Sequence, residues 1–217
     1  MMSARPALGV SCGLISIQSP LACITDLQPS EDPQRLYLVC CEDPTLSVDL
    51  AQPAPGKTCG SCTLCCKVVG IAELKKPADV WCGHCNKAKG CKIYDTRPQE
   101  CRTFNCLFLL GADFPEAWRP SKSKLVLYGQ GNDVVVHVDP GAPGAWLSEP
   151  FYTALKGLAE NQGPLGGMVS ARIGRRCVVF KPDGHIDLGA LEDDESIRFS
   201  FHHGQVEVAK VRRGDVS

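Results

Sequence analysis

Apolar and polar positions alternate most regularly in the C-terminal part of the chain, where they predict a mostly antiparallel sheet. Lys124 to Tyr128 and Val134 to Val138 read as strands, and Gly129-Gln130-Gly131-Asn132-Asp133 between them tolerates the positive φ angles of a hairpin turn. Met168 to Ile173 and Arg175 to Phe180 form a second pair across Gly174, and Pro182-Asp183-Gly184 turns the chain into His185 to Leu188. A last pair, Ile197 to Phe201 and Gln205 to Val211, flanks His202-His203-Gly204. Between the first two hairpins the period becomes helical. Ser148 is placed to cap this helix, Pro150 falls in its first turn, and Phe151, Leu155, Leu158 and Ala159 line one face.

Upstream the pattern weakens. The first 58 residues sustain neither period; Arg35 to Cys40 is their one strand-like piece. Ala51-Gln52-Pro53-Ala54-Pro55-Gly56 reads as a linker, because two prolines and a glycine oppose regular structure. Further on, Thr96 with Gln99 resembles a capping box and predicts a helix from Arg97 to about Leu110, stopped by Gly111. The chain is therefore expected to be α+β in three parts. Residues 1–58 form a poorly ordered extension and linker, and 59–120 a small cysteine-rich module with short helices. Residues 121–217 form a mostly antiparallel sheet with one packed helix.

Composition narrows the function classes. With 217 residues, 44% apolar and 22% charged, the chain has ordinary globular proportions and enough length for a real core. The longest apolar run, around Cys106 to Ala112, is far shorter than the roughly 18 residues of a membrane helix, so no membrane partner is expected. The N-terminal apolar stretch, Ala7 to Ile17, is broken by Ser11, Cys12 and Gly13 and makes a poor export signal, which predicts a reducing cytoplasm. The formal charge is −1 overall, but residues 59–125 hold eleven basic against six acidic side chains while both flanks are acidic.

Cysteine is the unusual residue, 14 in all, and nine of them fall between positions 59 and 106. In a reducing compartment such density points to metal rather than disulfides. Cys59-Gly60-Ser61-Cys62 and Cys62-Thr63-Leu64-Cys65 are overlapping C-x2-C units closed by Cys66, and Cys82-Gly83-His84-Cys85 repeats the device. Two intervening residues allow one tight turn that aims both sulfurs at one ion. Cys91, Cys101 and Cys106 follow. On one continuous helix Cys101 and Cys106 would stand about 140° apart and could not face one ion unless the helix breaks. Tyr94 and Phe104 are expected in the core, and His84, inside a knuckle, competes poorly with so much sulfur. Cations near the ligands in sequence, Lys67, Lys87, Lys89, Lys92, Arg97 and Arg102, are suited to offset thiolate charge.

The opening C-x2-C-x2-C-C, together with Gly90-Cys91-Lys92-Ile93-Tyr94-Asp95-Thr96-Arg97-Pro98-Gln99-Glu100-Cys101-Arg102-Thr103-Phe104-Asn105-Cys106, resembles the YkgJ-like family of zinc- or iron-chelating cysteine-cluster proteins. The resemblance covers about residues 59–110. It implies a metal-binding module, found alone or appended to larger proteins such as flagellin lysine methylases. By motif it implies Cys59, Cys62, Cys65, Cys66, Cys85, Cys91 and Cys101 as ligands, with Cys82 and Cys106 following the pattern less closely.

Three functional readings follow. The first is a metal-binding protein with a structural or accessory role toward an unidentified protein partner, holding about two Zn²⁺ because eight of nine cysteines complete two sulfur tetrahedra. The second is an iron or iron–sulfur redox protein, suggested by the C-x2-C-x2-C run although no x3-Cys-Pro follows it. The third and weakest is a zinc module binding nucleic acid through its basic segment and Arg172-Ile173-Gly174-Arg175-Arg176, with few aromatic residues for stacking. No nucleophile elbow, P-loop or dinucleotide fingerprint is present, and His137, His185, His202 and His203 read as core or surface residues.

Overall fold

The computed structural model describes residues 52–203 and 205–212. The expected ill-ordered extension, the strand-like piece at Arg35 to Cys40 and Cys12, Cys23, Cys40 and Cys41 lie outside the described residues. In the cysteine-rich part every element is short: α1 (Cys65–Val68), β1 (Cys85–Asn86), β2 (Gly90–Cys91), α2 (Gln99–Thr103), α3 (Leu107–Leu110) and α4 (Pro120–Ser123). There follow β3 (Leu125–Gln130), β4 (Asp133–Val138), α5 (Phe151–Gln162), β5 (Val169–Ile173), β6 (Arg176–Lys181), β7 (Gly184–Ala190), β8 (Glu195–His202) and β9 (Gln205–Arg212). The described chain is thus mixed α+β, with a few short helices and mostly antiparallel sheets. No helix in it is long and apolar enough to cross a membrane.

The three hairpins form where the pattern placed them, with Gly131 (φ 59°) and Gly174 (φ 57°) taking the left-handed turn conformation that glycine adopts freely. One pairing is not visible in the pattern. Strands β3 to β7 lie in sequence order in one sheet, but β4 and β5 run parallel, with Val134 opposite Val169. Parallel neighbours need a long crossover, and α5 supplies it. Along β6 the side chains then sort by period two: Val178 and Phe180 enter the main core with Leu155, Leu158 and Ala159 of α5. Cys177 and Val179 face the other way, against Ile197, Phe199 and Val208 of the β8–β9 ribbon.

Three local expectations are corrected. Ser148 makes no side-chain cap; its carbonyl accepts from the Phe151 and Tyr152 amides at 2.9 and 3.1 Å, and Pro150 is the residue before α5. The supposed linker is pinned, since the Ala54 amide donates to the Leu109 carbonyl at 2.8 Å and Lys57 closes a turn back onto Ala54. The long helix from Arg97 to Leu110 is two helices. Phe104 leaves α2 in an extended conformation and Cys106 enters α3 at φ −77°, ψ 154°. Thr96 lies in a separate 3-10 turn, and the first turn of α2 is capped instead by the Glu73 carboxylate, which accepts from the Glu100 amide at 2.9 Å.

Leu64, Val68, Cys106, Phe108, Leu109 and Trp118 share one buried core with Leu125, Val126 and Val136 of the sheet. The division at residue 120 is therefore one of composition, and the core runs across it. Leu125 is fully buried at this seam, so Leu125→Ala should cost about 2–5 kcal/mol. In urea, sheet circular dichroism and thiol exposure in the cysteine-rich segment should lose stability together; two separate midpoints would show independently folding units.

His137 on β4 also bridges the seam. Its Nδ1 donates to the Val68 carbonyl at 3.1 Å, which leaves Nε2, 3.3 Å from the Tyr128 hydroxyl, as an acceptor. Burial holds its pKa below the usual 6.5, outweighing the Val68 carbonyl, which favours the charged ring. The unfolded chain thus takes up the proton first, and this contribution to stability is lost as pH falls below about 6.5. Urea midpoints at pH 7.5 and 5.5 should differ more for the native protein than for His137→Gln. Equal differences would remove His137 from the account.

Candidate metal centre

The nine clustered cysteines sit on turns, ends of short helices and a two-residue hairpin. The Cys62 amide donates to the Cys59 carbonyl at 2.8 Å, and the Cys85 amide to the Cys82 carbonyl at 3.0 Å, so these two of the three C-x2-C units close the tight turns expected of them. Gly60 allows the first through a φ of 48°. The Cys82 amide donates to the Cys66 carbonyl at 2.9 Å, which joins the second knuckle to α1. Cys91 is registered opposite Cys85 across the β1–β2 hairpin. Because α2 and α3 are separate helices, Cys101 and Cys106 both reach the same space, which one continuous helix would have prevented.

That space is a cavity of about 310 Å³ lined by Cys59, Cys62, Cys65, Cys66, Cys82, Cys91, Cys101 and Cys106. Cys85 is absent from the lining; its thiol hydrogen-bonds with Cys66 and Thr63 instead. Among the described residues no group of three or more His, Cys, Asp or Glu side chains stands in an arrangement that could hold an ion as it is. The sulfurs surround a volume rather than a point. They also differ in proton affinity. Hydrogen bonding from the Cys65 thiol draws the Cys66 pKa down to about 6 against opposing burial, with Cys85 and Lys76 assisting. The half-buried Cys65 thiol, which donates that bond and is desolvated, is held protonated. Burial raises Cys59 and Cys101, and pushes Cys85 and Cys106 up to about 11.

The charged or basic groups on the lining are Lys57, Lys76, His84, Arg97, Arg102 and Arg119; Tyr94 also lies on it, and no carboxylate reaches it. This revises the expected counter-charges. Arg97 and Arg102 line the cavity, but Lys67 pairs with Asp139, Lys87 lies 4.9 Å above the Trp81 ring, and Lys89 and Lys92 are exposed. Lys76, in the field of Cys82 and Cys66, carried no signal in spacing, nor did Arg119, which pairs first with Glu116 at 2.6 Å and more weakly feels Cys62 and Cys106. Burial lowers the Lys76 pKa, and those two thiols, with Asp79, pull it back up.

Phe104 packs against the core as expected, edge-on to Tyr128 with ring centroids 5.3 Å apart. Tyr94 does not; it is 49% exposed, with the Arg97 guanidinium 4.0 Å from its ring centre. His84 is exposed at the cavity edge, His185 is exposed and bonded to the Tyr152 hydroxyl, and His202 and His203 are exposed at a turn. Arg175 pairs with Glu192 and Asp193, and Arg176 with Asp187, so two of the three arginines in the 172–176 run have carboxylate partners.

No family model, curated protein or solved structure matches the chain. In protein freed of metal, labelling of Cys66 by iodoacetamide should rise with a midpoint near pH 6. Cys106 should stay unreactive well above neutrality. Mass-spectrometric mapping that found Cys106 labelled before Cys66 would reverse this order.

Proposed function

We propose that this chain is a metal-binding cysteine-cluster protein of the YkgJ-like kind, with a structural or accessory role. One observation carries the proposal: eight cysteines line a single cavity that Lys57, Lys76, Arg97, Arg102 and Arg119 also line and that no carboxylate reaches. The donor set fits a soft, thiolate-ligated centre, because sulfur selects zinc, iron–sulfur clusters or copper(I) over hard cations. The cations on the wall favour the ionised thiols that ligation requires. Cys66, whose thiol ionises near pH 6, is the natural first ligand. The knuckle turns at Cys59–Cys62 and Cys82–Cys85 orient further sulfurs, and Lys76 and Arg119 oppose their charge.

Zinc is the first reading. Ions coordinated only by sulfur hold a fold and leave no position for water or substrate. Iron or an iron–sulfur cluster is the second reading; the same sulfur donors suit it, and when bound it supplies electron-transfer chemistry.

Metal analysis of protein purified without oxygen tests the proposal. Metal should copurify, fall sharply in Cys66→Ser, and persist in Cys177→Ser, whose thiol lies in the separate core under the β8–β9 ribbon. Colourless protein with about two zinc ions supports the first reading; brown protein with iron and acid-labile sulfide supports the second. Metal-free native protein overturns both.

A further inference from the structure

Lys76 has surroundings unlike those of any other lysine in the described chain. It is 8% exposed, and its ammonium group donates to three backbone carbonyls, Lys67 at 3.0 Å, Val69 at 2.5 Å and Pro77 at 2.9 Å. No carboxylate lies within ion-pairing distance of it among the described residues, although lysines 67, 122, 181 and 210 each have one. The loop that delivers it is tightly built. Ile71 and Lys76 exchange backbone hydrogen bonds at 2.9 and 3.0 Å, closing a turn that contains the 3-10 segment Ala72–Leu74. Glu73 in that segment caps α2, the helix of Cys101. The loop is thus tied to both cysteine-bearing walls, and Lys76 stands on the cavity lining between them.

A buried cation is costly unless an opposite charge is near. Three carbonyl dipoles satisfy the donors of this ammonium but bring no negative charge. The groups that can are the thiols of Cys82 and Cys66, which together with Asp79 lie in its field. Resting on the metal-centre reading above, we infer that Lys76 is the built-in counter-charge of that centre, a positioning residue that holds thiolates together on the Cys66–Cys82 wall. The plain structural reading of Lys76, a cap on the carbonyls at the end of α1, predicts the same fold without any effect on the metal.

Two substitutions separate these readings, each measured for metal affinity by chelator competition beside the native protein. Lys76→Gln keeps hydrogen-bond donors but removes the charge, and should weaken binding about 10- to 100-fold, the range of outer-shell partners. Lys76→Arg should stay within about threefold of native. Asp79→Asn retains a side chain suited to the left-handed backbone there (φ 62°) and removes the carboxylate that competes for the same cation. It should tighten binding about threefold, and it tests the charge even where Lys76→Gln fails to fold. Native-like affinity in folded Lys76→Gln, or unchanged affinity in Asp79→Asn, overturns the inference while leaving the metal centre standing. Absence of metal from the native protein overturns the centre itself and Lys76's role with it.

Discussion

Thiols gathered round one space repel one another as soon as several ionise, so the wall that carries them must be held from outside. The wall cannot hold itself. Its helices α1, α2 and α3 have four, five and four residues, whereas an isolated helix needs about 12–15 residues to be even marginally stable in water. Support comes from the sheet. Leu64 and Val68 on one side of the cysteine segment, and Phe108 and Leu109 on the other, enter the core that Leu125 and Val126 open on β3. Trp118 closes it edge-on against Phe151, with ring centroids 4.7 Å apart. The sheet provides apolar area that a sulfur-rich segment of this length lacks.

The break between α2 and α3 follows from the same dependence. Continuing the helix would satisfy the backbone at Phe104 to Cys106 locally, but it would turn Cys106 away from Cys101. Instead Phe104 leaves the helix and lays its ring against Tyr128, while Cys106 becomes the residue before α3 and its carbonyl accepts from the Leu109 amide at 2.8 Å. Tertiary packing thus overrides a run whose propensity reads as one helix. The same Tyr128 meets His137, and His137 reaches the Val68 carbonyl at the end of α1. Two adjacent strands therefore anchor both cysteine-bearing walls through one aromatic contact and one imidazole.

What was legible in the chain is what depends on neighbours in sequence. Period two placed the three hairpins, period 3.6 placed α5 and its buried Leu155, Leu158 and Ala159, and C-x2-C spacing placed the two knuckle turns. What was not legible depends on distant partners. The parallel β4–β5 pairing is set by a crossover, not by either strand. Pro53 to Gly56 read as a linker because a hydrogen bond to Leu109 cannot be seen 55 residues away. Lys75 and Lys76 are indistinguishable by type, yet Lys75 takes the left-handed conformation (φ 48°) and stays exposed, so that Lys76 turns inward. Tyr94 reads as core because a small sulfur-rich module is short of apolar mass, yet it stands exposed with the Arg97 guanidinium over its ring.

Nine thiols do not divide into fours, and in the structure Cys85 is the one that stands off the cavity lining. Eight reach the cavity, while the Cys85 thiol leans on Cys66 and on the Thr63 hydroxyl. The family resemblance would make Cys85 a ligand and leave Cys82 in doubt; the structure places Cys82 on the lining and Cys85 beside it. Cys85 begins β1 opposite Cys91, whereas Cys82 precedes the turn and is tied directly to the Cys66 carbonyl at 2.9 Å. With its pKa near 11 by burial, Cys85 remains a hydrogen-bond donor at neutral pH, and its S–H is among the groups that lower Cys66 to about 6. That thiol thus keeps its proton where its neighbour loses one.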